Sequence, residues 1–179
     1  MTELGYNYRL SDIHCALGRS QLRKLPRWIE QRRAVASHYD AAFAQLEGVQ
    51  PLARRPDRLH AYHLYVIRLE PELAPPHNVV FERLRSAGIC VNVHYAPVHR
   101  HHYYQSRFSC VPGTCSVAER MYERLLSLPM YPTLTGQQLD RVEGCAEERV
   151  VLGLTVGSAV ESPLRNPPNC QTGRLYLRH

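Results

Sequence analysis

The chain has 179 residues, of which 44% are hydrophobic and 21% charged, so it can fold as one ordinary domain with appendages and is not expected to be disordered. It has no apolar run near the roughly 18–20 residues of a membrane-spanning helix, and its first residues lack the pattern of a secretory signal. We therefore expect a cytoplasmic protein with no membrane partner. The net charge of +6 comes almost wholly from arginines, which are scattered and form no basic stripe, so we expect no nucleic-acid partner.

Six cysteines raise the alternatives of a disulfide framework or a metal site. Their irregular spacing and the lack of a secretory signal favour reduced thiols. Cys110 and Cys115 follow His99, His101 and His102 closely. A tetrahedral zinc site, however, usually shows two tight ligand pairs, and here the second pair is poorly spaced. We expect loop cysteines beside surface histidines and no metal site.

The first part of the chain predicts two helices separated at a proline. Ser11 or Asp12 suits the N-cap of the first helix, whose apolar stripe extends to about Lys24. Pro26 suits the first turn of a second, long helix, and Gly48 would end it. The apolar face of the long helix consists of Trp28, Ile29, Val35, Tyr39, Ala42, Phe43 and Leu46.

The remainder of the chain predicts a short sheet covered by helices. The predicted strands and extended pieces are residues 63–69, 89–95 and 127–130. The predicted helices are residues 78–87, 116–126 and 135–148, and an aromatic and histidine-rich loop is expected over 96–108. Thr135 and Gln138 have the spacing of a capping box. The order of elements predicts an α+β fold, with helices on one face of a small, mainly antiparallel sheet.

Four short phrases resemble the DegT/DnrJ/StrS family of sugar aminotransferases, which have the fold-type-I architecture of aspartate aminotransferase. The phrases are LGYNYRLSD at 4–12, AYHLYV at 61–66, VHYAPVH at 93–99 and LSLPMYP at 126–132. Their order and spacing resemble most closely the UDP-4-amino-4,6-dideoxy-N-acetyl-altrosamine transaminases of that family. The resemblance implies the C-terminal small domain of a fold-type-I enzyme that uses pyridoxal 5'-phosphate.

The same resemblance implies how the chain is organised. Residues 1–25 would be the end of the large cofactor domain, with a cross-dimer loop and a helix. Residues 26–148 would be the linking helix and the small domain, and 149–179 an irregular tail. The family's Schiff-base lysine would lie upstream of this chain. Lys24 is the only lysine and has no family lysine motif around it, so we expect a solvated lysine and assign no catalytic residue.

The resemblance also implies roles for residues of the cross-dimer loop and of the small domain. Asn7 would contact the cofactor phosphate across the dimer, and Arg9 would bind the phosphates of the nucleotide sugar, brace the loop, or form an ordinary surface ion pair. In the family, the segment that contains His94, Tyr95 and His99 lines the sugar–nucleotide pocket. Either histidine would bond a sugar hydroxyl or a diphosphate, and Tyr95 would stack or donate its hydroxyl. The alternative for His94 is a satisfied core histidine.

The function that the resemblance implies is transfer of an amino group from glutamate to a 4-keto nucleotide sugar, in amino-sugar, nonulosonate or surface-polysaccharide biosynthesis, by a homodimer. Without the lysine, this chain alone is expected to be inactive and to bind the cofactor weakly or not at all. The alternatives are a non-catalytic interaction or dimerisation module and one half of a split enzyme.

Overall fold

The computed structural model describes residues 5–6 and 8–148. The described helices are α1 (Asp12–Phe43), α2 (His77–Ser86), α3 (His102–Phe108), α4 (Ser116–Tyr122) and α5 (Gly136–Ala146), with a single 3-10 turn at Val98–Arg100. The described strands are β1 (Val49–Pro51), β2 (Tyr65–Leu69) and β3 (Leu125–Leu128). No helix in this part of the chain is long and apolar enough to reach across a lipid bilayer. The expected tail at 149–179 lies outside the described residues.

The three strands form one antiparallel sheet with β2 in the centre. Ile67 lies opposite Pro51 on one side and opposite Leu126 on the other. Along β2 every second side chain is buried, as expected for a strand with one face on the core. The predicted α+β class with a small antiparallel sheet is confirmed.

The C-terminal third of α1 packs on the buried face of the sheet. Tyr39 and Phe43 are almost fully buried, and the Tyr39 ring centroid lies 4.9 Å from that of Tyr65. The Tyr39 hydroxyl donates to the carbonyl of Pro129 at 3.1 Å, which satisfies the polar tip of a buried ring. Burial raises the pKa of Tyr39 above its ordinary value. The apolar face predicted for this helix is therefore the face that holds α1 on the core.

One arginine of α1 fastens two other segments to the helix. Arg32 donates from one guanidinium nitrogen to the carbonyls of Tyr62 at 2.8 Å, His63 at 3.3 Å and Met130 at 3.2 Å. Tyr62 and His63 lead into β2, and Met130 follows β3. The charged group thus satisfies carbonyls at the margin of the sheet that have no strand partner.

The break that we predicted at Pro26 is wrong, because α1 runs through it as one helix of 32 residues. Proline lacks the N–H that would bond the carbonyl of Leu22, four residues earlier. That part of α1 is exposed, so water can satisfy the carbonyl and the helix continues. The helix also ends at Phe43, before Gly48. Gly48 instead has φ +80° in the turn before β1, where a Cβ would lie 3.0 Å from the Leu73 carbonyl oxygen.

The predicted strand at 89–95 is also wrong, since its only ladder contact among the described residues is an isolated bridge between Asn92 and Ser127. Ile89 and Val91 are buried, but the N–H of Val91 bonds the carbonyl of Ile89 and not a neighbouring strand. Their β-branched side chains therefore mark burial here and not a strand. β1 was not predicted, because three residues are too few for a period-2 pattern.

The loop predicted at 96–108 is in fact largely helical, with the 3-10 turn followed by α3. In α3, Tyr104 stacks on Phe108, four residues later and therefore on the same side of the helix. At the other end of the small domain, the capping box at α5 is confirmed: Thr135 accepts from the Gln138 N–H, and Gln138 accepts from the Thr135 N–H.

Candidate functional site

Of the residues discussed for the cofactor-side loop and helix, Arg9 and Lys24 lie in the described part of the chain. Asn7 lies outside the described residues, so its expected phosphate contact stays a prediction. Arg9 is exposed ahead of α1. Lys24 lies on the exposed part of that helix, with its Nζ 6.0 Å from the centroid of the Trp28 ring. The cation thus rests over an indole at a solvent-facing position.

His94 is held by polar groups on both sides of its ring. Asn92 Oδ1 accepts the N–H of Val93 at 2.8 Å, which turns the amide nitrogen of Asn92 toward His94 Nε2 at 3.3 Å. On the other side, His94 Nδ1 lies 2.8 Å from the hydroxyl of Ser127, a buried polar residue of β3. The extended segment that carries His94 is held beside β3 by the two backbone hydrogen bonds between Asn92 and Ser127.

This arrangement fixes the protonation state of His94. An amide nitrogen only donates, so Nε2 must accept from Asn92, and the ring proton lies on Nδ1 and is donated to Ser127 Oγ. Burial, together with the neighbouring His63, lowers the pKa of His94 below its ordinary value. His94 is therefore a neutral imidazole with both nitrogens occupied. A substrate hydroxyl that binds Nε2 has to displace the Asn92 amide.

Tyr95 points away from the body of the domain. It is 77% exposed, and its ring meets that of His94 edge-on with centroids 4.8 Å apart. The peptide bond between the two residues is cis. An exposed aromatic ring beside a fixed histidine is a surface on which a flat or sugar ring can stack.

His99 makes the strongest polar contact of the candidate residues. Its Nε2 lies 2.8 Å from Oε1 of Glu119 on α4, and the two side chains are only 11% and 17% exposed. Both oxygens of Glu119 also accept the N–H of Gly113 at 2.9 Å. The Gly113 N–H, followed by His99, holds the pKa of Glu119 below its ordinary value. The carboxylate therefore stays ionised and acts only as an acceptor.

A second group of charged side chains links the helices α1 and α5. His38 on α1 lies 2.9 Å from Glu143 and 3.8 Å from Asp140, both on α5, so the three side chains link the two helices. Burial raises the pKa of Glu143.

Among the cysteines, Cys110 and Cys115 are free thiols as expected. Cys90 departs from that expectation because it is disulfide-bonded.

His94 and Tyr95 lie side by side, whereas Arg9 precedes α1 and His99 lies in the 3-10 turn. Two adjoining grooves, of about 360 and 710 Å³, lie between α1 and the arginine-rich connector that follows β1. Arg54, Tyr62 and Asp40 line both grooves. Neither groove is lined by Arg9, His94, Tyr95 or His99. A small-molecule site built from these four residues needs further walls.

Sequence reasoning missed the three residues that hold the histidines, namely Asn92, Ser127 and Glu119. A signal for Ser127 was present, because it is the one polar residue inside the apolar run Leu125–Leu128. Glu119 stood next to an apolar stretch without a visible partner. Its contact with His99 spans 20 residues of chain, a separation that no local pattern predicts.

The described residues do not by themselves fit the pyridoxal phosphate that the family resemblance implies. The aldehyde of that cofactor needs a lysine amine, and Lys24 stands on an exposed helix surface beside Trp28. Neither groove contains a lysine.

Comparison with known proteins identifies the family of this chain. The family model of the DegT/DnrJ/EryC1/StrS aminotransferases matches residues 1–146. The UDP-4-amino-4,6-dideoxy-N-acetyl-beta-L-altrosamine transaminase of Campylobacter jejuni is 37% identical over 131 residues, which are 73% of this chain and 34% of that protein. The chain thus spans about a third of the length of the curated relatives that it matches.

Solved structures agree with this match. Helicobacter pylori PseC, an aminotransferase involved in the biosynthesis of pseudoaminic acid, is 30% identical with a TM-score of 0.72, over 80% of this chain and 38% of PseC. The PLP-form of Spr1654 from Streptococcus pneumoniae is 26% identical with a TM-score of 0.73, over 82% of this chain and 37% of Spr1654. The chain therefore belongs to the DegT/DnrJ/EryC1/StrS family of aminotransferases.

Proposed function

We propose that this chain forms the C-terminal wall of the active site in a pyridoxal-phosphate aminotransferase that acts on a 4-keto nucleotide sugar, with glutamate as amino donor. The cofactor domain and its Schiff-base lysine come from other polypeptide, either the rest of a longer protein or a separate chain. The assembled enzyme is a cytoplasmic homodimer. The lone chain does not catalyse the reaction.

The observation that carries this proposal is the combination of family membership with an incomplete site. The match to the family runs through residues 1–146, yet the chain spans about a third of its curated relatives. Its single lysine is exposed beside Trp28. The named C. jejuni relative is a transaminase of a UDP-linked amino sugar, which supports a nucleotide-sugar substrate.

The described residues supply binding groups for such a substrate. His99, held by Glu119, offers one ring nitrogen to a sugar hydroxyl, and the exposed Tyr95 offers its ring face or its hydroxyl. His94 helps to hold the segment that carries Tyr95 and His99. Its Nε2 can bind a substrate hydroxyl only after the Asn92 amide is displaced. In this proposal Arg9 binds the diphosphate, for which a guanidinium fork is suited, and Asn7 contacts the cofactor phosphate across the dimer.

A second candidate function is a non-catalytic interaction or dimerisation module. It is favoured by α1, in which every residue from Asp12 to Arg27 is exposed and makes no part of the core. A helix of this kind usually buries apolar side chains against another polypeptide. The split-enzyme reading contains both functions, because the same helix would dock the half that carries the cofactor.

Co-expression with a polypeptide that contains the family's cofactor domain tests the proposal. We expect the two chains to copurify and to form a 4-amino sugar from the 4-keto nucleotide sugar and glutamate, whereas neither chain alone does so. H99Q should lower kcat/KM of the pair by roughly ten- to a hundredfold, since one hydrogen bond is lost. H101Q, two residues away, is the matched control. A complex that assembles with bound cofactor but never turns over a keto sugar would refute the proposal.

A further inference from the structure

Glu119 lies where two stretches of chain meet, the 3-10 turn that carries His99 and the turn at the start of α4. Its carboxylate is 2.8 Å from Nε2 of His99, accepts the Gly113 N–H with both oxygens at 2.9 Å, and lies 3.4 Å from the N–H of Cys115. It is itself carried by the first turns of α4. The Glu119 side chain therefore links the 3-10 turn that carries His99 to the turn that precedes α4.

The chemistry of this contact determines which ring nitrogen of His99 is available. An ionised carboxylate has no proton to give, so Nε2 must carry the hydrogen and donate it to Oε1 of Glu119. In the neutral ring, Nδ1 is then an acceptor and can receive a hydrogen bond from a hydroxyl. The opposite tautomer would set a lone pair of Nε2 against an anion.

We propose that Glu119 is a positioning residue that holds His99 in the Nε2–H tautomer, so that Nδ1 accepts a hydrogen bond from a sugar hydroxyl of the substrate. This assignment rests on the proposed function for the role of His99 and goes beyond it by naming the hydroxyl, and not the diphosphate, as the partner. Histidines that ligate or bind through one nitrogen commonly need a carboxylate on the other, for the same reason of orientation.

The backbone hydrogen bonds to the Glu119 carboxylate also make the position of the His99 ring rigid. Gly113 has φ +92° and donates its N–H to the Glu119 carboxylate. The backbone nitrogen of Cys115, two residues later, lies 3.4 Å from the same carboxylate. Three donors on one carboxylate leave it little rotational freedom, so the imidazole that it holds is equally restrained. Loss of the carboxylate would free His99 and this turn together.

Nitrogen NMR of the full chain labelled at histidine tests the assignment without substrate. In the neutral state of the wild-type His99 ring, we expect one protonated nitrogen, Nε2, whose N–H exchanges slowly with water. In E119A, the ring should become a mixture of tautomers, and its N–H should exchange roughly tenfold faster or more. The isosteric E119Q, which keeps an acceptor oxygen, should lie between the two. E123Q removes an exposed carboxylate from the end of the same helix and should change nothing.

A double-mutant cycle in the paired enzyme then links the tautomer to substrate binding. E119A should raise KM for the nucleotide sugar in the wild-type background and have no further effect in H99Q, because it acts through His99. An unchanged His99 ring signal in both E119A and E119Q, with the sheet amides intact, would overturn the assignment. If the NMR result holds and the pair is inactive, the proposed function fails while the positioning role of Glu119 stands.

Discussion

Replacing Leu126 by alanine is expected to remove a large part of the free energy of unfolding of this chain. Leu126 is fully buried in β3, opposite Ile67 of the central strand, and its side chain fills the layer between the sheet and the helices. Truncating a buried leucine to alanine costs about 2–5 kcal/mol through lost burial and the cavity left behind. Domains are stable by only about 5–15 kcal/mol. Urea unfolding followed by circular dichroism measures the loss as a lowered midpoint.

The matched control for this change is L59A, which removes the same atoms from a side chain that is 85% exposed. Its midpoint should stay within experimental error of the wild type, because surface truncations have little effect. Equal midpoints for L126A and L59A would mean that the three-stranded sheet and its core are not the structure that holds the chain folded.

Replacing Ile13 and Leu17 by glutamine is expected to weaken strongly the association of α1 with other polypeptide. The two side chains are 81% and 57% exposed and lie four residues apart, on one side of the helix. Burying an aliphatic side chain of this size contributes about 1.5–3 kcal/mol. The double variant should therefore bind the cofactor-domain polypeptide roughly a hundredfold more weakly or worse, and the lone chain should self-associate less. Sedimentation and titration calorimetry measure both effects.

A double variant on the same turns separates apolar contact from helix integrity. R19Q with R23Q changes two exposed polar positions that are also four residues apart, and it should leave both kinds of association nearly unaltered. If both double variants behave alike, the apolar residues of α1 are not an interface, and the proposal that other polypeptide covers them loses its physical basis.

The sequence was a good guide wherever structure is decided locally. The helical spacing of apolar residues places Tyr39 and Phe43 on the core, and it depends on neighbours within four residues. The same is true of the capping box of Thr135 and Gln138. The predictions that failed concern residues whose local structure depends on solvent exposure or on partners far away in the sequence. Pro26 is tolerated because its turn is exposed, and the β-branched residues at Ile89 and Val91 are buried without a strand partner.

The candidate site shows the same division. The family resemblance selected His94, Tyr95 and His99 from short phrases, but it carried no information on their protonation. That depends on Ser127, which is 33 residues from His94, and on Glu119, which is 20 residues from His99. Only the fold brings these partners together. The expected role of Asn7 stays a prediction, since that residue is outside the described part of the chain.

We infer that no lysine of this chain holds the aldehyde cofactor, and a spectroscopic titration with pyridoxal phosphate is the experiment that decides this. We expect the purified 179-residue chain to give no saturable visible band of a lysine-bound cofactor, and its spectrum to match that of K24A at every concentration. A saturable band that K24A removes, accompanied by amination of a 4-keto nucleotide sugar by the chain alone, would contradict the claim.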